Sequence, residues 1–263
     1  LWCREAAEVH ASIARSVVMD AAAKHERSFS ERVDCTFEDR GVLFSEMLSV
    51  CALCDELGAE VILESGRCRG QSTLVLSQYF KGRDVEIRSV EYLRDENAKI
   101  AKARLRGFEN VHLHFGDSQH LLPALLERRR SRRVAVLIDG PKGRDAVDLL
   151  RYLAEISNNN IVAAFIHDCR KSSSAREAAS SAFPRVFFTD DEEYVERHGH
   201  LDAVCLPGDR PRESAAGWEP FMKGGVRYES YGPTFAVILP LANPVMDEMV
   251  RWRRYPKTVK TAG

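Results

Sequence analysis

Three polar clusters follow one another along the chain at the spacing of successive strand ends. The first, Glu64-Ser65-Gly66-Arg67-Cys68-Arg69-Gly70, puts an acid at the end of an apolar run and two glycines ahead of a helical pattern. A turn of this kind serves nucleotide-like ligands: Gly66 permits the bend and close backbone approach, and Gly70 lets the helix begin tight against the strand. Ser72 and Thr73 stand where a hydroxyl caps that helix or reaches a ligand. Alone, E-x-G-x-x-x-G occurs by chance in many chains. The sequel gives it weight. Glu91 closes the next apolar run about one βαβ step later, an acid suited to accept hydrogen bonds from two ribose hydroxyls. Gly116-Asp117-Ser118-Gln119 closes the third, with polar groups for a purine edge.

The elements that must position these clusters read as alternating strands and helices, hence parallel βαβ units. Strands are predicted over Glu60 to Leu63, Val85 to Glu91, Val111 to Phe115, Val134 to Ile138 and Ile161 to Ile166. Helices are predicted over Gln71 to Tyr79, Arg94 to Arg106, Ser118 to Arg129 and Asp145 to Ser157. Arg185 to Thr189, Asp202 to Leu206 and Thr234 to Leu239 are also strand-like. Ahead of them, residues 1–57 show helical spacing (Leu43, Met47, Val50, Leu53) and read as an N-terminal extension of the same domain, with 58–263 as its main body. Two roles stay open for the extension, a lid and a contact in a homodimer. Pro207 to Pro233, irregular and carrying Trp218, Phe221, Tyr228 and Tyr231, is either a binding loop or a variable surface excursion.

The 263 residues suffice for one large α/β domain. With 44% apolar and 29% charged residues the composition is that of a folded domain, and a formal net charge of -1 gives no general attraction to nucleic acid or an anionic membrane. The basic run from Arg128 to Arg133 has no interleaved aromatic residue to stack a base and reads as a solvated helix end. No apolar run reaches bilayer length and no signal-peptide order is present, so a cytoplasmic protein with a small-molecule partner is expected. Seven cysteines, an odd number, suit a reducing compartment. Cys51 and Cys54 form a CxxC with no second pair at zinc spacing and read as buried small hydrophobes.

With these motifs in order, the chain resembles the class I SAM-dependent methyltransferases, specifically the catechol O-methyltransferase-like group. Glu64 to Ser72 looks like that family's E-x-G-x-x-x-G-x-S loop, Glu91 sits where it places its ribose-binding acid, and Gly116 to Pro123 looks like its G-x-S-Q stretch. The resemblance implies S-adenosyl-L-methionine as cofactor and a doubly wound, mostly parallel, seven-stranded Rossmann-like α/β sheet whose last strand is antiparallel. It places Glu64 near the methionyl part of SAM, the backbone from Gly66 to Gly70 around it, Ser72 at its amino-acid end, and Asp117, Ser118 and Gln119 beside the adenine. Ser118 also stands where a helix N-cap is needed.

Methyl transfer from a sulfonium is an in-line displacement, so the protein must mainly hold acceptor and methyl in near-attack geometry and help a hydroxyl lose its proton. Asp139-Gly140-Pro141-Lys142 and His167-Asp168-Cys169 end the fourth and fifth strands on the rim of the cofactor loop. The resemblance makes Asp139 and Asp168 metal ligands, for a divalent cation such as Mg²⁺, and Lys142 the general base. Cys169 departs from the family's Asn, and a thiol weakens a hard-cation site. Ile138-Asp139-Gly140 and His167-Asp168 also resemble the sugar- and antibiotic-type O-methyltransferases, in which His167 becomes the alternative base and Asp139 and Asp168 either bind metal or orient the catalytic groups. A core histidine satisfied by its neighbours is the plain reading of the same residue. His198 and His200 read as loop residues. The expected activity is O-methylation of a small-molecule or sugar-like hydroxyl. Two other readings are a SAM-fold binding protein without catalysis, suggested by Cys169, and a nicotinamide-dependent oxidoreductase, disfavoured because G-x-G-x-x-G is missing.

Overall fold

The computed structural model describes residues 2–37, 41–205, 221–223, 226–228 and 234–239. Two helices come first, α1 (Trp2–Arg32) and α2 (Phe44–Glu56). Strands and helices then alternate as β1 (Val61–Ser65), α3 (Gln71–Tyr79), β2 (Glu86–Glu91), α4 (Glu96–Arg104), β3 (Val111–Phe115), α5 (Ser118–Glu127) and β4 (Val134–Ile138). They continue as α6 (Arg144–Ile156), β5 (Ile161–Ile166), α7 (Ser174–Ala182), β6 (Val186–Phe188) and α8 (Glu192–His198). A 3-10 helix (Gly199–Cys205) and the strands β7 (Phe221–Lys223), β8 (Val226–Tyr228) and β9 (Ala236–Ile238) complete the described elements.

Seven strands form one sheet in the order β3-β2-β1-β4-β5-β9-β6. β1 to β5 run parallel, and β9 lies antiparallel between β5 and β6. This is the doubly wound, mostly parallel sheet expected, with Thr234 to Leu239 supplying its antiparallel strand. Parallel strands covered on both faces must be apolar at nearly every position, and all five residues of β1 and of β4 are buried. Because successive side chains point to opposite faces, the core divides in two. Ile62, Ala135, Leu137 and Phe165 pack with α1, α2 and α3, while Val61, Leu63, Val134, Val136 and Ile138 pack with α5, α6 and α7.

That division locates the ligand crevice. From β1 the chain winds outward through β2 to β3, then returns to place β4 on the other side of β1. The connections leaving β1 and β4 therefore diverge to opposite faces, and the opening between their carboxyl ends is where such sheets take ligands. The N-terminal helices are built into the domain. Tyr194 on α8 donates its hydroxyl hydrogen to the Ser45 carbonyl of α2 (2.8 Å), and the Asp202 carboxylate accepts from the Ser45 N–H and hydroxyl (2.8 and 2.6 Å). Cys51 and Cys54 lie in the core, as expected.

Asp202 also explains a correction. The predicted strand from Asp202 to Leu206 is a 3-10 helix as far as Cys205, with Leu206 outside the described residues. Its β-branched and apolar residues suggested extension, but the buried Asp202 carboxylate fixes the segment against the first turn of α2. α7 and α8 were not predicted; both are short and capped by side chains, Ser173 and Asp191. Of the Pro207 to Pro233 stretch, β7 and β8 pair antiparallel with Phe221 opposite Tyr228. Its remainder, including Trp218 and Tyr231, lies outside the described residues. Among the described residues no helix is long and apolar enough to cross a membrane.

Candidate active site

The glycine loop leaves β1 with Gly66 at φ +83°. A Cβ on Gly66 would stand 2.7 Å from the carbonyl carbon of Asp139 and 2.8 Å from the Gly140 nitrogen. The glycine thus does more than bend the chain: it lets the loops after β1 and β4 touch. The Gly140 carbonyl then accepts from the hydroxyls of Ser65 and Ser118, the latter at 3.2 Å, which ties the ends of β1, β4 and the start of α5 together. Gly70, at φ +83°, faces Ala101 of α4, whose Cβ would be 3.0 Å from an added Cβ.

Glu64, expected near the methionyl part of SAM, and Ser72, expected at its amino-acid end, are joined to each other at the start of the loop. The buried Glu64 carboxylate accepts from the Ser72 hydroxyl and the Thr73 hydroxyl, each at 2.5 Å. An acid this deep is tolerable only with such donors. Thr73→Val, which keeps the shape and removes one donor, is expected to cost about 1–3 kcal/mol, measurable by urea unfolding.

Glu91 gathers backbone donors: Oε2 accepts from Cys68 N–H (2.8 Å), and Oε1 from Tyr92 N–H (2.8 Å) and Leu93 N–H (3.3 Å). A carboxylate has about four acceptor sites, so room remains for a hydroxyl. Beside it Tyr92 and Leu93 are 71% and 57% exposed. Asp117, and not Ser118, caps α5, its carboxylate accepting from Gln119 N–H at 2.8 Å. Gln119 is exposed at the same rim. Arg67 is buried, donating to the carbonyls of Ser89 (2.6 Å) and His114 (3.2 Å) and lying over the Phe115 ring, so it clips the loop to β2 and β3.

At the ends of β4 and β5, Asp139, Lys142, His167 and Asp168 are brought together as expected. His167 Nδ1 lies 2.6 Å from Asp139 Oδ1. The Lys142 ammonium contacts both Asp139 Oδ1 and Asp168 Oδ2. On its other side His167 Nε2, buried and without a hydrogen bond, faces the Glu46 carboxylate of α2 at 3.7 Å. Burial opposes a charge on His167, but Asp139 and Glu46 outweigh it and push the imidazole up to about 10. Burial also pushes the Glu46 carboxyl up to about 7, against the pull of His167. For Asp139 the burial penalty is overcome by His167 and Lys142, which hold it below the usual carboxylate range. Partial burial works against the Lys142 charge, and Asp139 and Asp168 more than restore it, raising its pKa.

Cys169 does not face this cluster. Asp168 takes a left-handed backbone conformation (φ +62°), after which the Cys169 thiol enters the core beneath the sheet, 3.8 Å from the His167 carbonyl. Burial pushes that thiol up to about 12. One donor atom each from Asp139, His167 and Asp168 lies within 4.8 Å of the others, the one such group among the described residues. Carboxylate oxygens suit a divalent cation, and with His167 holding its proton against Asp139 the donors that fit the expected metal, once the lysine moves aside, are Asp139 and Asp168. His198 and His200, expected in a loop, sit at the end of α8 and in the 3-10 helix, both against Glu26 of α1. The sequence reading missed Glu46, although a carboxylate within a helix buried from Phe44 to Cys54 was a visible signal. It also missed Tyr92 and Leu93, apolar residues directly after an acid at a strand end.

No protein-family model matches the chain, and no curated protein does. Among solved structures it is similar to the O-methyltransferase TomG from Streptomyces achromogenes, involved in tomaymycin synthesis and in complex with SAM. Identity there is 18% over 84% of this chain and 88% of that one, with a TM-score of 0.46. It is also similar to cofactor-bound Rv0187 from MTB, at 17% identity over 86% of this chain and 89% of that one, TM-score 0.46. A third is the O-methyltransferase from Bacillus cereus in complex with SAH, at 15% identity over 89% of this chain and 100% of that one, TM-score 0.41. The functional reading rests on the site itself.

Proposed function

We propose that the chain is a SAM-dependent O-methyltransferase acting on a hydroxyl of a small molecule. The observation that carries this reading is the convergence, at the one place where the sheet reverses its winding, of an adenosyl-type cradle and a charged reaction cluster. The cradle is the Gly66 loop, Glu91 with its spare acceptor capacity, the exposed apolar Tyr92 and Leu93 as a wall for a flat ring, and Asp117, Ser118 and Gln119. The cluster is Asp139, Lys142, His167 and Asp168. Gly66 places the two in contact.

SAM supplies an electrophilic methyl group on a sulfonium. The chain's own residues hold the acceptor in line with it and receive the acceptor's proton. Asp139 and Asp168 are the residues that would hold a divalent cation, which supplies a Lewis acid for the acceptor oxygen. His167 keeps its proton between two carboxylates, and so orients Asp139 and balances its charge. Lys142, half-exposed on the rim, is the group assigned to take the acceptor's proton. Paired with Asp139 and Asp168, which raise its pKa, or released from them into water, the lysine gives its free amine only on the alkaline side, and the rate of transfer is expected to climb with pH above neutrality; a rate falling over that range would remove Lys142 as base. With the Cys169 thiol turned into the core, its substitution gives no ground for a protein that binds SAM without catalysis.

Thermal-shift titration tests the cofactor class. SAH is expected to raise the melting temperature in a concentration-dependent way and NAD to leave it unchanged; stabilisation by NAD alone would overturn the reading.

A further inference from the structure

We propose that Lys142 is a resident cation that gates metal binding: its ammonium occupies the space between Asp139 and Asp168, and a divalent ion enters only as the lysine withdraws. This rests on the carboxylates being a cation site and does not depend on methyl transfer. The ammonium touches one oxygen of each carboxylate, Asp139 Oδ1 and Asp168 Oδ2. Those residues, with His167, are the group whose donor atoms crowd within 4.8 Å. A lysine and a metal cannot share the position, because both need the same lone pairs and like charges repel at contact distance.

The structure also provides the way out. Asp139 is held from behind by buried His167, and its side chain is 21% exposed, whereas the Lys142 side chain is 53% exposed. The lysine's four-carbon stem can therefore carry the ammonium into water while the carboxylate stays fixed. Its loop is bounded by Gly140 and Gly143, the latter at φ +67°. Cys169 is turned away, so the position is formed by the Asp139 and Asp168 carboxylates, with His167 behind Asp139. Two carboxylates held by an ammonium lose little by exchanging it for a dication, which returns more charge to the same oxygens.

The test uses Mn²⁺ alone, with free ion measured by electron paramagnetic resonance, on the whole chain without SAH. Lys142→Met, of similar length and uncharged, is expected to bind one Mn²⁺ per chain at least about tenfold more tightly than the parent, an amount equal to roughly 1.4 kcal/mol. Adding Asp168→Asn to Lys142→Met is expected to abolish the gain. Circular dichroism confirms folding, and Lys142→Gln serves if the methionine variant fails to fold. Equal or weaker Mn²⁺ binding by both lysine variants, or no binding by any form, overturns the proposal. SAH titration of the same samples keeps the two claims apart: a Mn²⁺ gain without SAH binding upholds the gate and contradicts the methyltransferase.

Discussion

Gly66→Ala is expected to lower unfolding free energy by about 3 kcal/mol or more, a fall in melting temperature of roughly 6–12 °C for a domain of this size, whereas Gly82→Ala costs only about 1–2 kcal/mol. Both glycines have positive φ, +83° and +77°, so both alanines carry the left-handed backbone penalty. They differ in what the new methyl group meets. Around Gly82 nothing lies within 4 Å, while at Gly66 the obstacles are main-chain atoms of Asp139 and Gly140 inside 3.0 Å, which cannot rotate away. Relief requires the β1 and β4 loops to separate, and that breaks the contact joining cradle to reaction cluster. Gly66→Ala is therefore also expected to lose SAH binding in calorimetry. Equal costs for the two alanines would show that the loops do not touch. Gly70 offers no clean test of the ligand site, since a side chain there meets Ala101 and disturbs the packing of α4 first.

Asp139→Asn is the second large effect, expected to cost about 3–5 kcal/mol at neutral pH. Removing the near partner of a buried ion pair leaves the His167 charge with only the longer contacts to Glu46 and Asp168, each at 3.7 Å, and His167 is only 5% exposed. The cost depends on pH with a definite sign. His167 titrates at about 10 in the folded chain against an ordinary value of 6.5, so its contribution is complete below pH 6.5 and is lost as pH rises through about 10. The difference between Asp139→Asn and the parent, read from urea unfolding, should be widest at or below pH 6.5 and narrow toward pH 10. A difference independent of pH would mean that His167 is not held as an imidazolium by Asp139.

What the sequence revealed and what it hid have physical causes. β4 and β5 were legible to the residue because a parallel strand covered on both faces is a short apolar run with polar ends; β3, at the sheet edge and buried at none of its positions, also kept its expected bounds. Glu91 and the glycines were legible because a βαβ repeat fixes their spacing. The partners of Glu64 were not, since an acid ending a strand looks the same whether it faces a ligand or the hydroxyls of Ser72 and Thr73. Cys169 misled for a similar reason: the left-handed turn at Asp168 sends the next side chain into the core, and no residue type announced it. Glu46 was hidden because its contact with His167 depends on how α2 docks, which the buried Ser45, Asp202 and Tyr194 arrange across the fold.

Hydrogen exchange read by mass spectrometry, with and without SAH, tests the central claim most directly, because it locates the ligand without altering a residue. The account predicts slower exchange in three separate segments: the loop from Ser65 to Gly70, the turn from Glu91 to Asp95, and Gly116 to Gln119. Protection confined to other segments, or none at saturating SAH, would contradict a SAM site at the ends of β1, β2 and β3.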